Sequence, residues 1–212
     1  MVLETIGSLL HHCSKTKAFR CGLSLHATVF KAGILADVIV SNHVLNMYAK
    51  CGKINFARQV FDEMSEKNLV SWSAMIAGYD QAGEPLSALY LYSQMRLAPN
   101  EYIFASAISA CANLMLLGEG RQIHAQSVKH GYASVSFVSN SLISMYMKCS
   151  HTSDALSIYS AALEPNTVSY NAIISGLVEI QQPEKGFEVF KHMHQQGLMP
   201  DRFTFVFLGT LL

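Results

Sequence analysis

Two short segments place a cysteine directly after a lysine. Cys51 follows Lys50 in MYAKCG, and Cys149 follows Lys148 in MYMKCS. A cationic neighbour can lower the pKa of a thiol, so such a cysteine could act as a nucleophile or a metal ligand. Imidazole nitrogens could join a metal site from His11, His12, His26, His124, His192 and His194.

The spacing of these residues argues against both kinds of chemistry. The chain contains no CxxC pair, and no set of cysteines and histidines has the spacing of a zinc finger. No HxE motif is present either, so the zinc chemistry of nucleotide deaminases has no ligands here. The sequence therefore predicts a protein that is not an enzyme and that has no catalytic residues, metal or cofactor.

Composition narrows the possible partners. Fifteen Lys and Arg residues balance fifteen Asp and Glu residues among 212, which argues against binding mainly by neutralising many phosphates. Such a chain can still recognise bases through neutral side chains. No apolar run approaches the roughly 18–20 residues that span a bilayer, so no membrane partner is expected. The N-terminus carries Glu4 and has no basic segment followed by an apolar one, so no signal or transit peptide is visible.

The two cysteine segments are copies of one longer repeat. Cys51 and Cys149 lie 98 residues apart, and at the same spacing Cys13 matches Cys111 and Asn42 matches Asn140. Self-similarity over this distance calls for a search for shorter periods.

The shorter periods are pairs of helices. Ala57, Val60, Phe61 and Met64 have the spacing i, i+3, i+4, i+7, which is one face of an α-helix. An apolar helical segment precedes them, and a breaker at Cys51-Gly52 separates the two segments. Similar stripes recur along the chain without alternating β-type stretches or Gly/Ser linkers. The pattern predicts an all-α solenoid of helix–turn–helix units without internal domain boundaries.

These motifs resemble the pentatricopeptide repeat (PPR) family of plant organelles, in its variant that rotates long, short and standard units (the PLS subfamily). The resemblance rests on SACANLMLLGEGRQIHA, NMYAKCGKINFARQVFDEM, VSWSAMIAGY and HQQGLMPD taken together. Tetratricopeptide repeats are also helical hairpins, but the changing unit length and the restriction of MYAKCG to short units argue against them. The resemblance implies one right-handed superhelical array over 1–212, with long units 3–37 and 101–135, short units 38–68 and 136–166, standard units 69–100 and 167–201, and a truncated long unit 202–212.

The resemblance also implies binding of single-stranded RNA, with one base read by each unit. In the family, the base is read by a residue in the first turn of the first helix together with the last residue of the unit. By the family's rule, Asn–Asn prefers a pyrimidine, usually C, Ser–Asn prefers A, and Asn–Asp prefers U. The expected target resembles 5′-N-Y-A-N-Y-U-3′. The base-reading pairs implied are Asn42 with Asn68, Ser73 with Asn100, Asn140 with Asn166, and Asn171 with Asp201.

The long units offer weaker pairs. Gly7 stands with Asp37, and Ala105 stands with Val135, which has no polar side chain to read with. Lys50 and Lys148 resemble the family's phosphate-binding lysines. Apolar residues three before each base-reading residue are implied to wedge between adjacent bases, where they replace base stacking. These wedging residues are Ile39, Val70, Phe137 and Val168, with Tyr102 and Phe203 in the long units.

Two alternatives remain at this point. Asn and Ser near helix starts often serve as caps, so the base-reading pairs could be structural. Helical repeats also commonly bind peptides, so a protein-interaction scaffold without RNA recognition is the second function class.

The RNA-binding hypothesis also implies a cellular role and a location for the protein. A role in organellar RNA modification (C-to-U editing) or processing would need a separate deaminase or other editing factors. The expected location is the mitochondrion, with the chloroplast as the alternative. The apolar ending FTFVFLGTLL lacks a partner helix, which indicates a fragment, a truncated gene model or a degenerate copy of a longer protein. Self-association through this exposed end is a further expectation.

Overall fold

The computed structural model describes residues 2–161 and 165–209, and these residues form thirteen α-helices and one short 3₁₀ turn, Ile34–Ala36. No strand occurs in these two ranges, so the predicted all-α fold class is confirmed. Parts of two predicted units, residues 162–164 and 210–212, lie outside the description. The helices are α1 (Val2–Thr16), α2 (Phe19–Lys31), α3 (Val38–Lys50), α4 (Ile54–Glu63), α5 (Leu69–Gln81), α6 (Pro85–Gln94), α7 (Glu101–Leu114), α8 (Leu117–Lys129), α9 (Ser136–Lys148), α10 (Thr152–Ala161), α11 (Thr167–Glu179), α12 (Pro183–Gln195) and α13 (Arg202–Gly209).

The odd-numbered helices are the first helices of the units, and the even-numbered ones are the second helices. From α3 onwards, each first helix begins at the residue that opens a unit in the sequence assignment. Tight turns join the two helices of a unit. Gly52 and Gly83 have φ angles of +70° and +78°, a conformation that L-residues rarely adopt, so a glycine lets the chain reverse there. Pro85 and Pro183 then open the second helices at a position where a missing amide hydrogen costs nothing.

Contacts divide the chain into two compact units, with the division between Ile103 and Phe104 in the sequence. In the first, α1, α3 and α5 lie side by side, and α2, α4 and α6 pack behind them. The second repeats the arrangement, with α9 against α11, α11 against α13, and α10 and α12 behind. Single-array organisation remains a prediction from the sequence.

Small residues let the two helices of a unit approach closely. Ala57, Ala88 and Ala155 are completely buried, and Gly186 takes the corresponding place on α12. The aromatic stripe lies next to them, with Phe61 only 3% exposed. Phe61 therefore belongs to the core, and the corresponding Tyr159 and Phe190 are partly buried against core residues.

A hydrogen-bonded pair of a buried tyrosine and a half-buried histidine recurs between first and second helices. The hydroxyl of Tyr48 lies 2.8 Å from Nδ1 of His26, and Tyr146 pairs with His124 at 2.9 Å. Burial lowers the pKa of both imidazoles. The recurring histidines are thus hydrogen-bonded packing residues. Within the described ranges, no helix is both long and apolar enough to cross a bilayer.

Candidate nucleic-acid interface

Asn42 and Asn68, a pair predicted from the sequence, are in direct contact. Nδ2 of Asn42 donates to Oδ1 of Asn68 at 3.1 Å, and the hydroxyl of Ser71 donates to Oδ1 of Asn42 at 2.6 Å. Asn42 is the fifth residue of α3, so it lies at the start of the second turn and not in the first turn as expected. Two side chains at the start of α5, Asn68 and Ser71, therefore hold the Asn42 amide in a single orientation.

The second compact unit contains the same arrangement twice. Asn140 donates to Asn166 at 3.4 Å and accepts from Ser169 at 2.6 Å. In the last copy, the residues are Asn171, Asp201 and Thr204, with distances of 3.1 Å and 2.7 Å. We call each set a polar triad; the three triads are Asn42–Asn68–Ser71, Asn140–Asn166–Ser169 and Asn171–Asp201–Thr204.

The last residue of each triad-bearing unit also caps the next helix. Oδ1 of Asn68 accepts from the backbone amides of Val70 and Ser71, at 3.0 and 3.1 Å, in a capping box. Asn166 caps α11 in the same way, and Asp201 accepts from the amides of Phe203 and Thr204. Capping and base reading, which the sequence presented as alternatives, are thus compatible in one side chain.

Capping decides which atom of the last residue remains for a ligand. Backbone amides need an acceptor, so the carbonyl oxygen of Asn68 or Asn166 must face the helix, and the amide NH₂ is left over. In Asp201 the second carboxylate oxygen, Oδ2, is left over instead. Hydrogen bonds, first from the Thr204 backbone amide and then from the Asn171 side chain, lower the pKa of Asp201 and keep it ionised. The first two triads therefore offer a donor, and the third an acceptor.

The pair Ser73 and Asn100 is built differently. Oδ1 of Asn100 accepts from the amide of Ile103 at 3.1 Å, so the cap is retained. Among the described residues no hydrogen bond joins Ser73 to Asn100, because a serine hydroxyl is one bond shorter than an asparagine amide. Ile103 also occupies the third helical position, where the triads have Ser or Thr. The Ser73 hydroxyl is consequently not tied to the cap.

A groove of about 700 Å³ runs along the triads of the second compact unit. Both polar and apolar side chains line the groove. The exposed fractions of Phe137, Val168 and Phe203 are 61%, 59% and 51%. In the first compact unit Ile39 and Val70 are exposed to a similar degree, 63% and 58%. The structure thus leaves all predicted wedging residues accessible on the first helices, although their role remains a prediction. The wedging residues Phe137, Val168 and Phe203 line this groove together with the polar residues Asn140, Asn166, Asn171 and Asp201.

The two predicted phosphate-binding lysines lie at the C-terminal ends of first helices. Nζ of Lys50 donates to Oε1 of Gln81 at 2.9 Å, and Nζ of Lys148 donates to Oδ1 of Asn113 at 2.9 Å. Both ammonium groups are exposed, and each amide partner is neutral, so the positive charge is not cancelled. Each lysine is positioned by a neighbouring first helix while keeping donors for an anion.

The cysteines lack the environment of a nucleophile. Burial raises the pKa of the Cys51 and Cys149 thiols, and it raises those of Cys13 to about 11 and of Cys111 to about 12. Thiols of this kind are almost entirely protonated at neutral pH. Across the described ranges, no three His, Cys, Asp or Glu side chains come together in a way that could hold a metal.

Sequence reasoning missed the third member of each triad. Ser71, Ser169 and Thr204 are buried and were not assigned any role. A signal was present, because each stands three residues after the last residue of a unit, in NLVS, NTVS and DRFT. A hydroxyl at this spacing is the mark of a capping box.

Family models and sequence relatives agree on one family. The PPR repeat model matches residues 39–69, 70–98 and 137–163, and the PPR repeat family model matches 165–208. A pentatricopeptide repeat-containing protein of Arabidopsis thaliana is 42% identical over 192 residues, covering 88% of this chain and 33% of its own length. A mitochondrial pentatricopeptide repeat-containing protein of the same plant is 37% identical, and the match covers 97% of this chain and 33% of that protein. A chloroplastic one is 34% identical, and the match covers 91% of this chain and 24% of that protein. The chain thus spans about a third or less of these relatives.

Solved structures share the fold. The pentatricopeptide repeat protein PPR10, crystallised in complex with an 18-nt psaJ RNA element, superposes with a TM-score of 0.80 at 20% identity. The match covers 96% of this chain and 32% of that chain. A structure of PPR10 from maize gives a TM-score of 0.55 at 18% identity, with 97% and 36% covered. At these identities the likeness concerns the fold.

Proposed function

Because the chain belongs to the pentatricopeptide repeat family, we propose that it binds single-stranded RNA selectively, with one base read by each triad-bearing unit. The observation that supports this most is the threefold recurrence of the polar triad. Each triad fixes one amide on a first helix. At the cap, the first two triads leave an amide NH₂ group for a ligand, and the third leaves a carboxylate oxygen. PPR10, a protein of the same fold, has been solved with RNA bound.

Donor and acceptor groups explain the proposed base preferences. One hydrogen of the Asn42 amide is bound to Asn68, so the other can donate to a pyrimidine O2. The NH₂ group of Asn68 can then donate to N3 of cytosine, which is an acceptor. At the last triad, Oδ2 of Asp201 can accept only from a donor, and N3–H of uracil is one. The triads therefore favour C, C and U, and the untethered Ser73 with Asn100 is assigned A by the family's rule.

Stacking and charge complete the proposed interface. Exposed Phe137 precedes Asn140 in the sequence, and exposed Val168 lies between Asn166 and Ser169. Both line the same groove, where they can separate and cover successive bases. Lys50 and Lys148 supply the phosphate contacts. With only two such lysines in a neutral chain, electrostatics contribute little, so base contacts carry most of the selectivity.

We propose that in the cell this chain acts as a specificity factor, either for organellar RNA modification by C-to-U editing or for RNA processing. The curated relatives include mitochondrial and chloroplastic proteins, which supports an organelle, the mitochondrion first and the chloroplast as alternative. A separate deaminase or other editing factors would supply the chemistry. Membership of the PLS subfamily is part of this proposal, and the rotation of long, short and standard units in the sequence supports it.

The test is a filter-binding series on 5′-N-Y-A-N-Y-U-3′ with each position permuted, using the wild-type chain and Asp201→Asn. The substitution keeps the capping oxygen and replaces the spare acceptor with a donor. We expect the last-position preference to move from U to C, with a change of about 1–3 kcal/mol, as for other good side-chain–base pairs.

Two results would contradict the proposal. Equal affinity of the wild-type chain for all permutations would remove base reading. No RNA binding at all, combined with capture of a helical or extended peptide along the same groove, would favour the protein scaffold. Circular dichroism of Asp201→Asn controls for folding.

A further inference from the structure

Helix α9 carries three polar side chains in a row along one face. They are Asn140, Ser144 and Lys148, the fifth, ninth and thirteenth residues of the helix. Residues four apart lie on the same face of an α-helix, and each such step advances about 6 Å along the axis. One intermediate position, occupied by Ser144, therefore separates the proposed base-reading amide from the proposed phosphate-binding ammonium group.

The groove of the second compact unit includes this intermediate position. Asn140 and Ser144 both line it, and Ser144 is half-buried. Helical serines commonly donate to the carbonyl four residues earlier, as Ser141 does to Phe137 at 3.1 Å. Across the part of the chain that the structure describes, the Ser144 hydroxyl makes no hydrogen bond of this or another kind. Ser144 thus offers the groove a hydroxyl that can both donate and accept.

Helix α3 has the same order of groups in the first compact unit. Asn42, Asn46 and Lys50 are its fifth, ninth and thirteenth residues. The Asn46 side chain is half-buried and, among the described residues, has no hydrogen-bond partner. Its amide can also donate and accept. An uncommitted polar group therefore lies between the base-reading asparagine and the lysine on both helices.

The other two helices with a proposed base-reading residue differ. On α5 the residue four after Ser73 is Ala77, which has no polar side chain. On α11 the intermediate residue is Ser175, whose hydroxyl donates to the carbonyl oxygen of Ala172 at 3.2 Å. Glu179 follows it where α3 and α9 have a lysine. Ala77 consequently provides a natural comparison within the same chain.

We propose that Asn46 and Ser144 bind the ribose 2′-hydroxyl of the nucleotides whose bases are read by Asn42 and Asn140. The proposal rests on the proposed function and adds recognition of the sugar to it. The ribose lies between the base and the phosphate, so a nucleotide held by the amide and the lysine places its sugar at the intermediate position. The 2′-hydroxyl donates and accepts, which matches both side chains, and DNA lacks it. These two residues therefore select RNA over DNA at the second and fifth nucleotides.

The test replaces single riboses by 2′-deoxyribose in 5′-U-C-A-U-C-U-3′ and measures affinity by filter binding. We expect substitution at the second or fifth nucleotide to weaken binding about threefold to tenfold, the range of one hydrogen bond. The third nucleotide, which faces Ala77, is the internal control and should be almost insensitive. A 2′-fluoro group keeps the sugar conformation of RNA but lacks the hydroxyl hydrogen, and it should act like 2′-deoxy at the second and fifth nucleotides.

Two variants connect the sugar to its side chain. Ser144→Ala should weaken binding of the all-RNA strand and make 2′-deoxy substitution at the fifth nucleotide neutral, because the hydrogen bond is already lost. The effect of substitution at the second nucleotide should remain. Asn46→Ala should show the converse pattern. Both side chains are only half-buried, and thermal melts establish that each variant is folded.

Selectivity for U over C at the sixth nucleotide, read by Asp201, is measured on all-RNA strands in the same experiments. If that selectivity is present and the second and fifth riboses matter no more than the third, this proposal is wrong and the proposed function stands. If the U over C selectivity is absent, the proposed function fails and this proposal fails with it. Wild-type sensitivity of Ser144→Ala to the fifth 2′-deoxy substitution would also overturn the role of Ser144.

Discussion

The hydroxyl of Ser71 lies 2.6 Å from Oδ1 of Asn42 and connects two neighbouring first helices. The same hydroxyl accepts from the backbone amide of Asn68 at 3.2 Å. Ser71 is completely buried, so water does not take the place of its hydroxyl as a partner of these groups if the hydroxyl is removed. One buried side chain therefore sets the orientation of the Asn42 amide, the proposed base-reading group.

Ser71→Ala should separate stability from recognition. Loss of the hydroxyl leaves buried polar groups unsatisfied, which costs about 1–3 kcal/mol of unfolding free energy. The Asn42 amide also becomes free to rotate, so discrimination at the second base should fall while the other positions keep theirs. Urea denaturation and the oligonucleotide series measure the two effects. Ser24→Ala, at an exposed hydroxyl on α2, is the matched control; full discrimination in Ser71→Ala would argue against the positioning role.

Two glycines of the second compact unit should respond oppositely to alanine. A Cβ at Gly176 would lie 2.6 Å from Cβ of Met147, whereas at Gly186 the nearest atom is 3.7 Å away. Gly176→Ala should destabilise the fold by about 1–3 kcal/mol through overpacking. Gly186→Ala should stabilise it by about 0.5–1 kcal/mol, because alanine loses less backbone entropy in a helix. Urea midpoints give both values, and a stable Gly176→Ala protein would show that α9 and α11 pack less closely than described.

Acidification should destabilise the fold below about pH 6.5. His26 and His124 have lowered pKa values in the folded state, mainly through burial, so between the folded and unfolded pKa the unfolded chain binds more protons. Their contribution is complete above about pH 6.5, the ordinary histidine value, and is lost as pH falls through the folded pKa. Asp201, whose pKa is lowered, loses its contribution only at more acidic pH.

The double variant His26→Asn, His124→Asn separates these histidines from other titrating groups. It should show a flatter stability profile between pH 7 and 5, measured by urea denaturation at each pH. His12→Asn, at an exposed position on α1, should keep the wild-type slope. Identical slopes in all three proteins would assign the pH dependence elsewhere.

Lys50→Gln and Lys148→Gln should weaken RNA binding equally for all sequences. Each removes one phosphate contact, so the slope of log K against log salt concentration should become shallower by about 0.7 per lysine for a single strand. Base preferences should not change. Lys185→Gln, at an exposed position on the second helix α12, should leave the slope as in the wild-type chain. A slope change with Lys185→Gln but not with Lys50→Gln would place the strand on the other face.

Much of this architecture could be predicted because its signals are local. The apolar stripe at Ala57 and Phe61 and the breaker at Gly52 define helices and turns by residue type alone. The family resemblance also predicted which residues form pairs, such as Asn42 with Asn68 and Asn171 with Asp201. The direct hydrogen bonds between them could not be predicted, since they depend on how closely two first helices approach.

The position of His43 shows what sequence patterns alone do not predict. Gly7 appeared as a missing side chain, and only the packing of α1 against α3 shows that an imidazole from the next unit fills its place. The difference between Ser73 and Asn42 has a similar origin. Both are short and polar, but only the longer side chain reaches the neighbouring cap.

Where the last residue of a unit also caps a helix, as Asn68, Asn166 and Asp201 do, its replacements are restricted to the few short side chains that carry an acceptor. Asparagine and aspartate satisfy this equally well and differ in one outward atom group, and their codons differ by a single transition. Under the proposed function, a population could therefore change the base recognised at one position by one mutation, without passing through a poorly folded intermediate. The helix cap makes target switching an accessible evolutionary step.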